Sequence, residues 1–262
     1  MLLVLASTVG CTKLRARDQL VKGVQSFKAG KYEEAVDRFQ TSITLDPDYD
    51  AARLYLATAY SYQVVPNLDT PENLAIAKKA LDGFNYVLNK NPNDLDALRQ
   101  EASIQRNVKQ YDAAKQTEMK IIAIKSNDAE ANYTIGVIDW TQAYKHATDL
   151  LGAAGLQDDG NGNVKMSKDT CAKITAANGA LVDEALKYLQ NAVNINPTYD
   201  DAMQYLNLTY RRKADLECGN DAARKADLAQ ADMWVQKASG ARKANEAAKE
   251  KKLGGGGVDV SK

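Results

Sequence analysis

The sequence predicts an all-α fold in which helical hairpins stack one on the next in chain order. The first observation is internal repetition, because similar helical stretches recur at Gly30–Pro47, Ala77–Pro92, Lys109–Ser126 and Val182–Pro197. The second is that each stretch carries an alanine four residues before a larger side chain, which places both on one helix face. The third is the Asp- or Asn-containing segment after each stretch, which is typical of the first turn of a new helix.

The repeated unit is a helix, a turn, a second helix and a turn that usually contains proline. The closing residues Pro92 and Ser126 are 34 residues apart, whereas the neighbouring intervals of 45 and 71 residues indicate insertions of 11 and 37 residues. In chain order we expect five hairpins within residues 17–248. The last helix, from Asp221 to about Ala248, is long and rich in alanine, so it is predicted to cap the array.

Two insertions interrupt the repeat. The first, at residues 64–74, contains two prolines and the sequence Thr-Pro-Glu, which predicts a longer loop and a helix that restarts near Pro71. The second, at residues 143–180, includes a segment rich in glycine and asparagine, which is typical of a turn, and a helix is expected to start near Ser167. The glycine-rich tail at residues 249–262 has no core-forming pattern and is predicted to be flexible.

The repeated residues resemble the tetratricopeptide repeat (TPR) family, whose unit is a 34-residue helical hairpin with small, aromatic and proline residues at fixed positions. The matching residues are Gly23, Tyr32, Ala35, Phe39 and Pro47, then Leu56, Ala57, Tyr60, Ala80, Phe84 and Pro92, then Ala102, Tyr111 and Ala114, then Ile135, Gly136, Ala185, Ala192 and Pro197, and finally Leu206 and Tyr210. Glu118 and Ser126 depart from the pattern, which has an aromatic residue and a proline at their positions. The resemblance implies a right-handed superhelical solenoid that binds a protein or peptide in its concave groove.

By register with the matched residues, the resemblance assigns a set of side chains to the partner-binding groove. These are Tyr62, Arg99, Arg106, Asn107, Tyr133, Trp140, Gln204, Arg211 and Arg212. The arginines are expected to pair with carboxylates of a bound segment, and the aromatic rings to act as apolar anchors. The alternative, which the sequence leaves open, is that inserted helices or a neighbouring repeat cover these side chains.

The amino-terminal sequence resembles that of a bacterial lipoprotein. An apolar run at Leu2–Val9, too short to span a bilayer, leads into Thr8-Val9-Gly10-Cys11, which resembles a lipobox although leucine is usual at the position of Thr8. This pattern predicts a signal segment at residues 1–10 and acyl chains on Cys11. An ordinary secretory signal or a buried helix is the alternative.

The predicted destination also follows from this resemblance. A linker at residues 11–16 would connect the acylated cysteine to the repeats. Because Thr12 is not aspartate, the similarity to enterobacterial sorting indicates the outer membrane, with the protein facing the periplasm or the cell exterior. The apolar run lacks the positively charged stretch that normally precedes it, so we expect Met1 to be internal to a longer chain.

Cys171 and Cys218 remain once Cys11 is assigned to acylation. A disulfide between them would close a loop of about 48 residues, which the chain-entropy model values at roughly 4 kcal/mol. Two unpaired thiols are the alternative, since connectivity does not follow from sequence. An even pair fits an exported protein.

Little in the sequence indicates catalysis, a metal or a cofactor. Lysine plus arginine and aspartate plus glutamate both total 34, so no net charge attracts nucleic acid. Asp159, Asn161 and Asn163 alternate as in a calcium loop, but Val164 stands where that loop requires glycine, so a simple turn is favoured. His146 is the single histidine, and no zinc site or catalytic dyad is predicted around it.

These observations together predict an exported, non-enzymatic scaffold that binds a protein or peptide partner. It would attach to a membrane through its acyl chains alone. The alternative is a self-assembling structural protein, either a homo-oligomer or an extracellular filament of stacked subunits. An enzyme would need a deep polar pocket formed by the second insertion.

Overall fold

The structure is a computed structural model that describes the backbone of residues 5–254 and the side chains of residues 11–251. Over that span the chain forms ten α-helices and no β-strand, which confirms the predicted all-α fold. The chain divides after Ile124 into two compact units. The predicted signal segment at residues 1–10 and most of the tail at residues 249–262 lie outside the described side chains.

The first unit contains three helical hairpins. Its helices are α1 (Leu5–Lys28), α2 (Tyr32–Leu45), α3 (Asp50–Ser61), α4 (Pro71–Lys90), α5 (Leu95–Asn107) and α6 (Tyr111–Ile124). Each helix packs on the next one in the chain. Phe39 and Phe84 are fully buried, together with the repeat alanines Ala35 and Ala80 that precede them by four residues. The apolar helix face that the repeat predicts is therefore the face that holds the hairpins together.

A buried asparagine fixes the loop of the first insertion. α4 begins at Pro71, and the hydroxyl of the preceding Thr70 accepts a hydrogen bond from the backbone N–H of Asn73 (3.3 Å). The Asn73 side chain accepts from the N–H of Val65 (2.8 Å) and donates to the carbonyls of Val65 (2.9 Å) and Leu68 (2.7 Å). The loop is thus an ordered part of the unit, and the predicted restart at Pro71 is confirmed.

The second unit contains two hairpins, and the first of them is long. Its helices are α7 (Ala129–Ala153), α8 (Lys168–Ile195), α9 (Asp200–Ala214) and α10 (Asp221–Gly254). α7 has 25 residues and α8 has 28, whereas α9 has 15, so the second insertion lengthens both helices of one hairpin. Ser167 caps α8 by accepting from the N–H of Thr170 (3.1 Å), which confirms the predicted helix start.

Close contacts hold the helices of the second unit together. A Cβ added to Gly136 on α7 would lie 2.5 Å from Cγ of Leu189 on α8, so only glycine allows this approach. On the last hairpin, Trp234 and Ala238 of α10 belong to one buried cluster with Leu206 of α9. α10 therefore covers the apolar face of α9, as the predicted capping helix should.

A disulfide joins the long hairpin to the last one. Cys171 in the first turn of α8 is bonded to Cys218 in the turn between α9 and α10, and their Cα atoms are 5.7 Å apart. This is the pairing that the sequence left open. It ties the second insertion to a part of the chain 47 residues away.

The loop between α7 and α8, residues 154–167, is here called the strap. It folds against the carboxyl end of α9 and the start of α10. Arg224 of α10 donates to the carbonyl of Asn161 (2.9 Å), and Asn163 donates to the carboxylate of Asp215 (2.8 Å). Side chains of the last hairpin therefore hold the strap in place, in addition to the disulfide nearby.

Candidate protein-binding surface

Aromatic side chains of α7, of α9 and of the residue that precedes α9 form a continuous row in the second unit. Tyr133, Trp140 and Tyr144 are separated by seven and four residues, spacings that return to the same side of α7. Tyr205 of α9 contacts two of them, with its ring centroid 5.7 Å from that of Tyr133 and 5.2 Å from that of Trp140. Trp140 stacks on Tyr144 at 5.2 Å, and Tyr199 lies 4.9 Å from Tyr133. We call these five residues the aromatic strip.

The rings of the strip are supported from below and partly open to solvent. Tyr144 has 42% of its surface exposed, and the other four residues are partly buried. Tyr133, Tyr199 and Tyr205 pack against the buried cluster around Leu206. This packing fixes the positions of these three rings, and rigid aromatic side chains lose little conformational entropy when a ligand binds to them.

The polar groups of the strip differ in their hydrogen bonding. The Tyr199 hydroxyl donates to the carboxylate of Glu130 (2.6 Å). Burial and this carboxylate raise the pKa of Tyr199, so its hydroxyl keeps its proton. The indole N–H of Trp140 is buried and has no acceptor within the described structure. An unpaired buried donor costs about 1–3 kcal/mol, so this N–H destabilises the described arrangement.

Arg212 is buried and paired within the second unit. Its guanidinium lies 2.8 Å from the carboxylate of Asp158 in the strap and 3.0 Å from that of Asp215, and only 4% of its side chain is exposed. It also lies over the ring of Tyr144, 5.6 Å from the centroid. The expectation that Arg212 pairs with a bound segment is corrected here, because two carboxylates of its own unit already occupy it.

Arg211 is also engaged within the second unit. It donates to the carbonyl of Gly160 in the strap (3.0 Å), to Asn207 one turn earlier on α9 (3.0 Å) and to the carboxylate of Asp232 on α10 (3.0 Å). Its side chain therefore supports the strap, and the second insertion covers this end of the predicted groove.

The two carboxyl groups beside Arg212 have opposite pKa shifts. Burial strongly raises the pKa of Asp215 to about 7, although the charge of Arg212 and the hydrogen bond from Asn163 act against it. Burial also favours a higher pKa for Asp158, but the hydrogen bond from Arg212 and its charge outweigh burial, so the pKa of Asp158 is lowered. Asp158 is therefore the carboxylate that keeps Arg212 paired across the physiological range.

The structure distributes the predicted groove residues over both units. Tyr62 is 57% exposed at the end of α3, and its ring contacts that of Phe27 on α1 at 4.9 Å. Three others, Arg99, Arg106 and Asn107, lie partly buried on α5. In the second unit, Tyr133 and Trp140 belong to the aromatic strip, and Gln204 lies partly buried on α9.

Sequence reasoning missed three members of the aromatic strip. Tyr144 follows Trp140 by four residues, so helical spacing alone places it on the same face and was an available signal. Tyr199 and Tyr205 join the strip through the packing of α9 against α7, which no local pattern reveals. Their inclusion makes the strip a feature of two helices.

Cys11, the predicted site of acylation, is exposed on α1 and forms no disulfide. α1 continues through residues 11–16, and Ala16 at the end of that range is fully buried. Its carbonyl accepts a hydrogen bond from the hydroxyl of Ser42 on α2 (2.7 Å). Residues 11–16, which the sequence predicted to be a linker, therefore lie within α1.

The described residues contain neither a candidate metal-binding cluster nor a candidate membrane-spanning helix. No cluster of three or more histidine, cysteine, aspartate or glutamate side chains in that part of the chain has the geometry to hold a metal ion. No helix among the same residues combines the length and apolar character needed to cross a membrane.

Comparison with known proteins identifies the fold. No protein-family model and no curated protein matches the sequence. Among solved structures, MamA from Desulfovibrio magneticus RS-1 (residues 41 to the end) is similar with a TM-score of 0.56 and 16% identity, over 88% of this chain and 96% of that one. YrrB, described as a TPR protein with an unusual peptide-binding site, has a TM-score of 0.52 and 15% identity, over 92% of this chain and 98% of that one. The chain therefore has the fold of a TPR protein.

Proposed function

We propose that the protein is a non-enzymatic scaffold that binds an extended segment of a partner protein on the aromatic strip. The observation that carries the proposal is the row of five partly open rings on α7 and α9, with centroids 4.9–5.7 Å apart. Tyrosine and tryptophan residues are enriched among the anchors of protein interfaces, because each offers a large rigid contact area and a polar group. YrrB, which has a similar structure, is described as having a peptide-binding site, and this supports peptide binding by the chain in general.

We also propose that the protein is exported and anchored in the outer membrane through acyl chains on Cys11. Three observations support this. The residues before Cys11 resemble a lipobox, the cysteine is exposed on α1, and the disulfide between Cys171 and Cys218 suits an oxidising compartment. Several acyl chains would anchor the protein firmly, since each buried CH₂ contributes about 0.8 kcal/mol.

Site-specific photo-crosslinking in the native host tests the binding proposal. A benzophenone amino acid replaces Val137, which lies partly buried on α7 between two residues of the strip. A matched probe replaces Tyr188 on α8, a partly buried tyrosine outside the strip. We expect a discrete crosslinked partner from position 137 that is lost when Trp140→Ala is added.

Equal crosslinking from positions 137 and 188, or none from either, would contradict the proposed surface. A crosslink between two copies of this chain would instead favour the self-assembling alternative. Light scattering at several protein concentrations separates these outcomes, since a monomer at high concentration argues against assembly.

A further inference from the structure

We propose that the segment bound by the aromatic strip is rich in proline and adopts the polyproline II conformation. This inference rests on the proposed binding function and names the class of its ligand. It follows from three properties of the strip, which are its aromatic composition, the engagement of the nearby arginines and the unpaired donor of Trp140.

The composition of the strip favours a ligand that offers flat apolar rings and no charge. Its five members are four tyrosines and one tryptophan, and their rings are in mutual contact along α7 and α9. Grooves lined by aromatic side chains are the surfaces on which proline-rich segments dock, because the pyrrolidine rings pack against the aromatic faces. The ligand is already extended before binding, so ordering it costs little entropy.

The arginines at the end of the strip argue against an acidic or phosphorylated ligand. Recognition of such motifs requires a cluster of arginines that can turn to the incoming anion. Arg212 is buried between Asp158 and Asp215, and Arg211 donates to the strap and to Asp232. An anion that approached this end would meet the carboxylates of Asp158 and Asp232, which already pair with the two guanidinium groups.

The other common modes of peptide recognition also fit less well. Addition of a β-strand requires an exposed sheet edge, and the described residues form helices only. An amphipathic helix requires a broad groove for its apolar face, whereas the strip is a row of rings across two neighbouring helices. A polyproline II segment instead docks on aromatic rings, which the strip supplies.

The indole N–H of Trp140 supplies the polar contact that this ligand requires. A polyproline II segment forms no internal hydrogen bonds, so all its carbonyl groups seek donors. The N–H of Trp140 has no acceptor in the described structure and is buried beneath its neighbours. It reaches a ligand carbonyl only if the ring shifts on binding, and that shift would change the fluorescence of Trp140.

Tryptophan fluorescence therefore provides a direct test. The chain has two tryptophans, and Trp234 is 5% exposed on α10, so the variant Trp234→Phe leaves Trp140 as the reporter. The full chain with this substitution is titrated with three peptides of equal length up to millimolar concentration. They are a (Pro-Pro-Ala) repeat, a glycine-serine repeat, and an amphipathic helix with glutamates on its polar face.

We expect the fluorescence of Trp140 to change saturably with the proline peptide and to stay constant with the other two peptides. Adding Tyr144→Ala should weaken this binding about threefold to tenfold, since an aromatic contact contributes about 0.5–1.5 kcal/mol. Tyr188→Ala is the matched control and should leave the affinity unchanged. Tyr144 is chosen because its ring is 42% exposed. Its ring also contacts Trp140 and Arg212, so circular dichroism and urea unfolding verify that the variant keeps its fold.

The remaining outcomes overturn the inference in distinguishable ways. Saturable binding of the acidic helix alone, or equal binding of all three peptides, would refute a proline-rich ligand while leaving the scaffold function intact. If no peptide bound but position 137 still captured a partner, the ligand class would again be wrong and the function would stand. If peptide binding and crosslinking both failed, the inference and the proposed function would fall together.

Discussion

The carboxyl group of Asp215 makes the stability of the second unit depend on pH. Its pKa is raised to about 7 in the folded protein, mainly by burial, from an ordinary value of 3.8. Between about pH 4 and pH 7 the folded chain therefore holds a proton that the unfolded chain has lost. This group alone makes the free energy of unfolding fall as pH rises through that window and stay level above it.

We predict that Asp215→Asn removes this pH dependence. The amide has the same size, still accepts a hydrogen bond from Asn163 and cannot ionise. Because one pKa unit corresponds to about 1.4 kcal/mol, the variant should gain a few kcal/mol relative to the wild type between pH 4 and pH 7. Urea unfolding at several pH values measures this difference. A constant difference across the range would show that Asp215 is already ionised at pH 4.

Gly136 is a residue that packing requires, and a helical glycine nearby serves as its control. A Cβ at residue 136 would meet Cγ of Leu189 at 2.5 Å and the carbonyl of Ala185 at 3.2 Å, whereas nothing lies within 4 Å of a Cβ at Gly179 on α8. We predict that Gly136→Ala destabilises the protein by about 1–3 kcal/mol through overpacking.

Gly179→Ala should instead stabilise the protein, by about 0.5–1 kcal/mol, because alanine favours a helix interior. Thermal and urea unfolding of both variants provide the comparison. If both substitutions stabilised the protein, helix propensity rather than contact between α7 and α8 would explain them. Gly136 is also a residue that the repeat pattern identified from sequence.

At the scale of secondary-structure elements, the disulfide and the strap attach the second insertion to the last hairpin. We predict that Cys171→Ala combined with Cys218→Ala lowers the free energy of unfolding by about 2–4 kcal/mol. The native bond closes a loop across 47 residues, so the main effect is the larger freedom of the unfolded chain. Wild-type protein with a dithiol reductant should match the variant in urea unfolding.

The variant itself should not respond to the reductant. If the reductant also left the unfolding free energy of the wild type unchanged, the two cysteines would not be bonded in solution. Hydrogen exchange over the strap adds a second readout. Arg211, Arg212 and Arg224 still bind the strap after reduction, so its protection should decrease only in part.

The helices were predictable to the extent that the repeat marks them. The closing prolines and the paired alanines predicted the hairpins. The turn and capping residues predicted that helices begin near Pro71 and Ser167. The lengthening of α7 and α8 was not predicted, because buried polar residues interrupt their apolar pattern. Asn178 is 1% exposed, donates to the carbonyl of Ala143 (2.8 Å) and contacts His146 (3.2 Å).

The error over Arg212 has the same origin. Register placed it correctly on α9, but its partner Asp158 lies 54 residues earlier in an insertion without repeat signal. No spacing rule brings such residues together, since the contact depends on how the whole hairpin folds. Tyr133 and Trp140 were predictable because they occupy repeat positions of a single helix.

At the scale of the whole molecule, the two functions that we propose, attachment at Cys11 and partner binding on the second unit, belong to different parts of the chain. The cysteine is exposed on α1, and the aromatic strip lies on α7 and α9, so substitutions can separate the two. We predict that Cys11→Ser moves the protein from the membrane fraction of its host to the soluble fraction. The reason is the loss of the acyl chains, each of which contributes about 0.8 kcal/mol per buried CH₂.

Thr12→Asp is the matched control for this experiment. It alters the residue next to the cysteine but keeps the acylated sulfur, so the protein should stay in a membrane fraction. By similarity to enterobacterial sorting, that fraction should change from the outer to the inner membrane. Binding of the proline peptide should be the same for the wild type, Cys11→Ser and Thr12→Asp, because none of them alters the strip. Retention of Cys11→Ser in the membrane would contradict acyl anchoring, and retention that required Trp140 would show that the bound partner holds the protein there.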